Sequence, residues 1–149
     1  MAPTRERWYA EQIILNAPLG GALAGLEGRM RETLIRILLV EDDVDVAPML
    51  EHVLLLAGFG VHMAGTVAEA RELLDSRSYA LVLADVMLPD GSGIGVADAA
   101  KARGIEAVVI TGHAFRIPAE ELARHEVLLK PLRPRQVVET VTRSLGHSK

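Results

Sequence analysis

The chain predicts an α/β domain: a doubly wound, five-stranded parallel sheet with helices on both faces. Three observations carry this. Short apolar runs recur, each run is followed by apolar residues at helical spacing, and the β-then-α order is kept five times from Ile35 onward. Strands buried on both faces read as near-continuous apolar runs, and strictly alternating strands and helices make a parallel sheet.

The first strand is Ile35-Arg36-Ile37-Leu38-Leu39-Val40, closed by Glu41-Asp42-Asp43. Val46, Leu50, Val53, Leu54 and Ala57 then fall at helical spacing, with Gly58 as the stop. Gly60–Ala64 is a short second strand, and Thr66-Val67-Ala68-Glu69 is a capping box opening a helix through Arg71, Leu73 and Leu74 toward Arg77. The third strand, residues 80–84, ends in Asp85. Asp90-Gly91-Ser92-Gly93 is a turn, and a third helix runs from Ile94 to a close at Gly104. Residues 107–111 are the fourth strand. Residues 118–124 have room for about two helical turns, with Pro118 suited to the first helical position. Glu126–Leu129 is the fifth strand, and a last helix from Pro134 turns Val137, Val138, Val141 and Leu145 inward.

The residues before Ile35 leave this rhythm. Ala17-Pro18-Leu19-Gly20-Gly21-Ala22 contains breakers, residues 8–15 with Trp8 can form a turn or two of helix, and Met30 lies just before the first strand. Residues 1–34 are therefore expected as a poorly ordered extension and residues 35–147 as one domain. Nineteen residues follow Lys130, enough for one helix and no output domain.

Composition narrows the function classes. A chain of 149 residues fits one domain and buries roughly 70% of its unfolded surface. Half the residues are apolar, yet only two Phe, two Tyr and one Trp occur, so Leu, Val, Ile and Ala build the interior. With no cysteine, disulfide and thiol chemistry are excluded and a reducing compartment is compatible. No apolar run approaches the roughly eighteen residues of a membrane span, and the N-terminus lacks a secretory apolar region. A cytoplasmic protein with no membrane contact is expected. Residues 1–34 hold four basic and four acidic side chains, so the remainder carries the net charge of -4. That balance, with no basic stripe, argues against nucleic acid as partner. Arg133, Arg135 and Arg143 read as the solvated face of the last helix.

The chemistry gathers at the carboxyl ends of the strands, where open α/β sheets place their sites. The ends of strands one, three, four and five deliver Glu41-Asp42, Asp85, Thr111 and Lys130 to one edge. Each pair of carboxylates repels by about 4 kcal/mol at ~4 Å and an effective dielectric near ~20, so a cation must sit among them. An all-oxygen donor set favours a hard ion, Mg2+ above all. A carboxylate nucleophile, a Mg2+ site, an ammonium and a hydroxyl are the parts that phosphoryl transfer to aspartate needs.

Leu38-Leu39-Val40-Glu41-Asp42-Asp43, Asp85-Val86-Met87-Leu88-Pro89-Asp90-Gly91, Val109-Ile110-Thr111-Gly112 and Leu129-Lys130-Pro131 resemble the receiver domain of bacterial two-component response regulators, over about residues 35–145. The resemblance implies a flavodoxin-like sheet order. It makes Asp85 the phosphoacceptor, Asp42 a direct metal ligand, Glu41 a ligand through water, and Met87 a donor through its backbone carbonyl. Thr111 would bind a phosphoryl oxygen in the switched state, Lys130 would pair with the phosphoryl group, and Lys130-Pro131 would be cis. It implies Mg2+ as cofactor and a histidine kinase or histidine phosphotransfer protein as donor. A downstream protein target would be the receiver of the signal, and a homodimer is compatible. The chain would then be a switch with self-dephosphorylation rather than an enzyme.

Other readings fit less well. A flavin-binding domain of the same topology must hold a phosphate in its first loop, which Glu41-Asp42-Asp43 would repel. An aspartate-nucleophile phosphatase wants a second acid where Met87 stands. A receiver-like interaction module that works without phosphorylation leaves every acceptor-site residue unused. Gly91-Ser92-Gly93-Ile94-Gly95 follows the third strand and reads as a turn rather than a phosphate cradle. Asp43 reads as a cap of the first helix. Of the histidines, only His113, two residues past Thr111, borders the phosphoryl site by the same likeness. Three departures from the family pattern stand out. Val127 replaces the usual aromatic, the stretch from Thr111 to Lys130 is short so the fourth helix is expected to be truncated, and the third helix is about a turn short.

Overall fold

Every apolar run becomes a strand in the computed structural model, which describes residues 34–146. Residues 1–33 and 147–149 lie outside the described residues, and with them the expected extension, Trp8 and Met30. Strands β1 (Arg36–Val40), β2 (Gly60–Ala64), β3 (Leu81–Asp85), β6 (Glu106–Thr111) and β7 (Glu126–Leu129) form one parallel sheet in the order β2-β1-β3-β6-β7. Two further strands, β4 (Met87–Leu88) and β5 (Gly91–Ser92), make a separate antiparallel hairpin. Helices α1 (Val46–Leu56), α2 (Val67–Ser76), α3 (Gly93–Ala102), α4 (Ala119–Ala123) and α5 (Pro134–Gly146) complete the fold. The sheet is doubly wound, as the alternation predicts.

Side chains of a strand point alternately to its two faces, so each apolar run feeds two cores. From β1, Leu38 and Val40 join Val82, Ala84 and Val109 on one face, under α2 and α3. Ile37 and Leu39 join Leu81, Leu83, Val108 and Ile110 on the other, under α1 and α5. All five residues of β3 are buried, which places it at the centre.

The local signals work as chemistry predicts, with shifts of a residue or two at the ends. Asp43 Oδ1 accepts from the Asp45 and Val46 N–H groups and so closes the start of α1. The Thr66 hydroxyl accepts from Glu69 N at 3.0 Å, while the Glu69 carboxylate reaches Gly65 N, one residue before the standard capping-box partner. Gly58 (φ 95°) and Gly104 (φ 77°) adopt the left-handed conformation that ends a helix, as their places in the sequence predict. Pro118 stands at the N-cap of α4 rather than inside it. In α5, Val137 and Val141 are buried as expected, but Val138 and Leu145 are half-buried, and Thr140 and Ser144 take the other inward positions. The stretch read as a simple turn at Asp90 is the tip of the β4–β5 hairpin, with Met87 opposite Ser92 and Leu88 opposite Gly91. Helix α4 has only five residues, none buried, in keeping with the short stretch between Thr111 and Lys130.

Candidate functional site at the carboxyl edge of the sheet

Parallel pairing in register brings four strand ends to one level. Val40 pairs with Ala84, Asp85 with Ile110, and Thr111 with Leu129. The ladder continues one step past two of the strands: Glu41 N donates to Ala64 O at 3.0 Å and Lys130 N to Thr111 O at 3.0 Å. Glu41, Asp85, Thr111 and Lys130 are thus fixed by backbone bonds, and their side chains inherit that order.

Three carboxylates converge. Glu41, Asp42 and Asp85 each offer an oxygen within 4.8 Å of the others, Glu41 and Asp85 buried and Asp42 exposed. Lys130 Nζ lies 3.2 Å from Asp85 Oδ2 and 3.5 Å from Glu41 Oε2. Asp85 Oδ1 accepts from Met87 N at 3.3 Å, which ties the residue two positions on to the Asp85 carboxylate. Glu41 Oε1 accepts from Asp43 N at 3.1 Å, whereas buried Glu41 Oε2 has no hydrogen-bond partner among the described residues. A buried oxygen that meets an ammonium only at 3.5 Å, without a hydrogen bond, in an all-oxygen donor set fits a hard divalent cation such as Mg2+. Thr111 is buried at the same edge, with its hydroxyl accepting from His113 N at 2.9 Å. The Lys130–Pro131 peptide is cis.

Electrostatics follow from this crowding. Burial, reinforced by the Asp85 carboxylate, pushes Glu41 up to about 7. Burial alone would lower the Lys130 ammonium, but Asp85 and Glu41 outweigh it and hold it above its ordinary value. Because Glu41 is raised in the folded state, folding without metal takes up a proton between the ordinary carboxylate range and about 7. The stability Glu41 contributes in its protonated form is present at low pH and lost as pH rises through about 7. Metal-free protein is therefore expected to melt at lower temperature as pH is raised across that window. Glu41→Gln should flatten the slope, and thermal melts of both proteins across pH check it.

Two residues near the site have no signal in their own neighbourhood of the sequence. Asp90 does not join the acidic cluster; its carboxylate accepts from Val67 N at 2.7 Å and Ala68 N at 3.0 Å, at the start of α2. Those two bonds hold its carboxyl below the usual carboxylate range. Gly93 packs so tightly that a Cβ there would stand 1.9 Å from the backbone oxygen of Asp85. A Gly between two helix-compatible residues reads only as a turn, and a cap supplied from twenty-three residues away has no local spacing to reveal it.

Around the rim, Met87 is 61% and Phe115 81% exposed. The His113 ring meets Phe115 edge-on at 6.2 Å, and the Arg116 guanidinium lies 5.5 Å over the Phe115 face. Val127 is half-buried against the core beneath α2 and α3. Among the described residues, no helix is long and apolar enough to cross a membrane.

Fold and site together define a doubly wound α/β domain whose strand ends join three acids and one lysine. Residues 37–142 match the family described as the response regulator receiver domain, and the chain belongs to that family. It is 32% identical over 117 residues to the transcriptional regulatory protein CpxR homolog of Haemophilus influenzae, a match covering 76% of this chain and 51% of the relative. The chain spans about half the length of the curated relatives it matches. A CheY-like receiver domain protein from Methanospirillum hungatei superposes with a TM-score of 0.69 at 28% identity, over 78% of this chain and 97% of that one. The fold is shared also with response regulator TrrA of Thermotoga maritima, solved in complex with Mg2+-BeF. There the TM-score is 0.68 at 24% identity, over 74% of this chain and 99% of that one.

Proposed function

We propose that the chain is a phosphorylation-dependent signalling switch with Asp85 as phosphoacceptor. The observation that carries this reading is the placement of the buried Asp85 carboxylate, 3.2 Å from the Lys130 ammonium and within the three-acid cluster. The donor is a phosphohistidine on a histidine kinase or a histidine phosphotransfer protein. Its P–N bond breaks as a P–O bond forms on an Asp85 carboxylate oxygen, and the departing imidazole nitrogen keeps the electron pair and takes up a proton. Glu41, Asp42, Asp85 and the Met87 backbone carbonyl would hold Mg2+, which supplies charge neutralisation for the phosphoryl oxygens and the crowded acids. TrrA, which shares the fold, binds that metal with a phosphoryl mimic. Lys130 pairs with the phosphoryl group, and the Thr111 hydroxyl, which accepts from His113 N, donates its own proton to a phosphoryl oxygen. The signal passes in the cytoplasm to a downstream protein target, and a homodimer is compatible with it.

Incubation with acetyl phosphate and Mg2+ followed by intact mass measurement tests the reading. A gain of one phosphoryl group is expected, and no gain overturns it. Asp42→Ala is expected to abolish both Mg2+ binding in calorimetry and phosphorylation, while raising the metal-free melting temperature by relieving acid repulsion. Phosphate uptake at the wild-type rate would exclude Asp42 as ligand.

The switch motion is expected between Gly112 and Arg124. Phosphorylation adds roughly -1.5 to -2 charges at the Asp85 edge, and Thr111 can follow it only if the next loop moves. That loop holds a single 3-10 turn, Ala114–Arg116, and the five-residue α4, neither with a buried residue. Amide exchange on adding beryllofluoride and Mg2+ should change most there. Thr111→Ala should remove that change yet still permit labelling of Asp85.

A further inference from the structure

The hairpin that follows Asp85 is pinned at both ends, and one pin reaches across to a different helix. At its far end, Gly93 N donates to Val86 O at 2.9 Å and Gly93 packs against the backbone carbonyl of Asp85. At its tip, Asp90 accepts from the first two N–H groups of α2. Val67 also packs there, its Cγ2 lying 3.5 Å from where a Cβ on Gly91 would stand. The loop in between carries Met87, whose N–H is bound to Asp85 and whose residue pairs with Ser92. Helix α2 already has its own cap in Thr66, so the Asp90 bonds serve N–H groups that Thr66 does not reach.

We infer that Asp90 is a positioning residue for the metal site: by clasping the amino end of α2 it fixes the loop that presents the Met87 carbonyl beside Asp85. This rests on the proposed Mg2+ site. A backbone carbonyl has no rotamer of its own, so its aim is set entirely by the loop that carries it. Without the clasp the hairpin tip is exposed chain held by two short strands, and the carbonyl must be ordered at the moment of binding. Ordering of that kind weakens affinity without altering any ligand.

The test compares Mg2+ affinity by calorimetry for the full-length wild type, Asp90→Ala, Asp90→Asn and Thr66→Ala, together with amide exchange at Val67 and Ala68. Both Asp90 variants lose the same negative charge, but Asn keeps one acceptor oxygen where Ala keeps none, because its amide nitrogen cannot accept from the second N–H, so a difference between them reports a hydrogen bond rather than charge. Asp90→Ala is expected to weaken Mg2+ binding roughly tenfold, the lower end for loss of an outer partner of a metal ligand, with faster exchange at both amides. Asp90→Asn, able to accept from only one of the two N–H groups, should fall between wild type and Asp90→Ala. Thr66→Ala loosens the same helix without touching the hairpin, and should leave Mg2+ affinity unchanged. Equal weakening in both Asp90 variants would assign the effect to charge and overturn the clasp. Wild-type affinity in Asp90→Ala, or weakening in Thr66→Ala equal to that in Asp90→Ala, would overturn it as well. Absence of Mg2+ binding to the wild type would instead remove the proposed metal site, and the clasp's role with it.

Discussion

Asp85→Asn should show no mass gain with acetyl phosphate and Mg2+ under conditions where the wild type gains one phosphoryl group. The amide has nearly the shape of the carboxylate, so β3 and its five buried residues are undisturbed. It lacks the anionic oxygen that attacks phosphorus. The variant should remain folded, with a melting temperature close to or above that of the metal-free wild type, because it removes one of three crowded negative charges. Glu41 and Asp42 then stand as the remaining carboxylates of the cluster, Glu41 at 3.5 Å from Lys130 Nζ against 3.2 Å for Asp85, and Asp42 exposed. Labelling of the variant at the wild-type rate would move the acceptor role away from Asp85.

Gly93→Ala is expected to be the most damaging single methyl group in the domain. Its Cβ would meet the Asp85 backbone oxygen at 1.9 Å and the carbonyl carbon at 2.8 Å, and backbone at the centre of a sheet cannot swing aside as a flexible side chain can. Overpacked cores lose about 1–3 kcal/mol, occasionally more. A loss at or beyond the top of that range is expected in denaturant unfolding, since either β3 or the start of α3 must shift. The shift falls on Asp85, the proposed acceptor, so phosphorylation of the surviving folded fraction should slow as well. A variant with wild-type unfolding midpoint and labelling rate would show that the contact is relieved without moving Asp85. By contrast, Gly95→Ala lies in the same helix with its nearest neighbour, the Arg71 guanidinium, at 3.7 Å, and should be neutral or mildly stabilising.

The parts of this protein that local chemistry decides could be read from residues alone. The apolar runs of β1, β3 and β6 have one physical solution, burial on both faces. The order of strands and helices then places Glu41, Asp85, Thr111 and Lys130 on a common edge before any distance is known. The residues that escaped are those whose partners are remote in the chain. Asp90 sits in a Pro-Asp-Gly stretch that any turn would use, and nothing near it tells that its carboxylate caps a helix begun at Val67. Thr140 and Ser144 are buried inward residues of α5 that a period of apolar side chains does not register, because both are small and polar. The convergence of Glu41, Asp42 and Asp85 follows from topology, but the missing hydrogen bond at Glu41 Oε2 and the 3.5 Å approach of Lys130 to that oxygen are matters of side-chain geometry.

The position of β7 at the outer end of the sheet also bears on solubility. An outer strand exposes a row of unpaired N–H and C=O groups that can template growth by another chain. Here that row is only four residues long, and Pro131, which has no N–H to offer, stands two positions after its last residue. Glu126 opens the strand in an ion pair with Arg143 of α5, placing charge at the other end of the same border. A polymer growing by strand addition would have to desolvate that pair and would meet an imide nitrogen within two residues of Leu129. The proline that closes this edge of the sheet, with the Glu126–Arg143 pair at the other end of β7, therefore also helps to keep the sheet from extending into a neighbouring molecule.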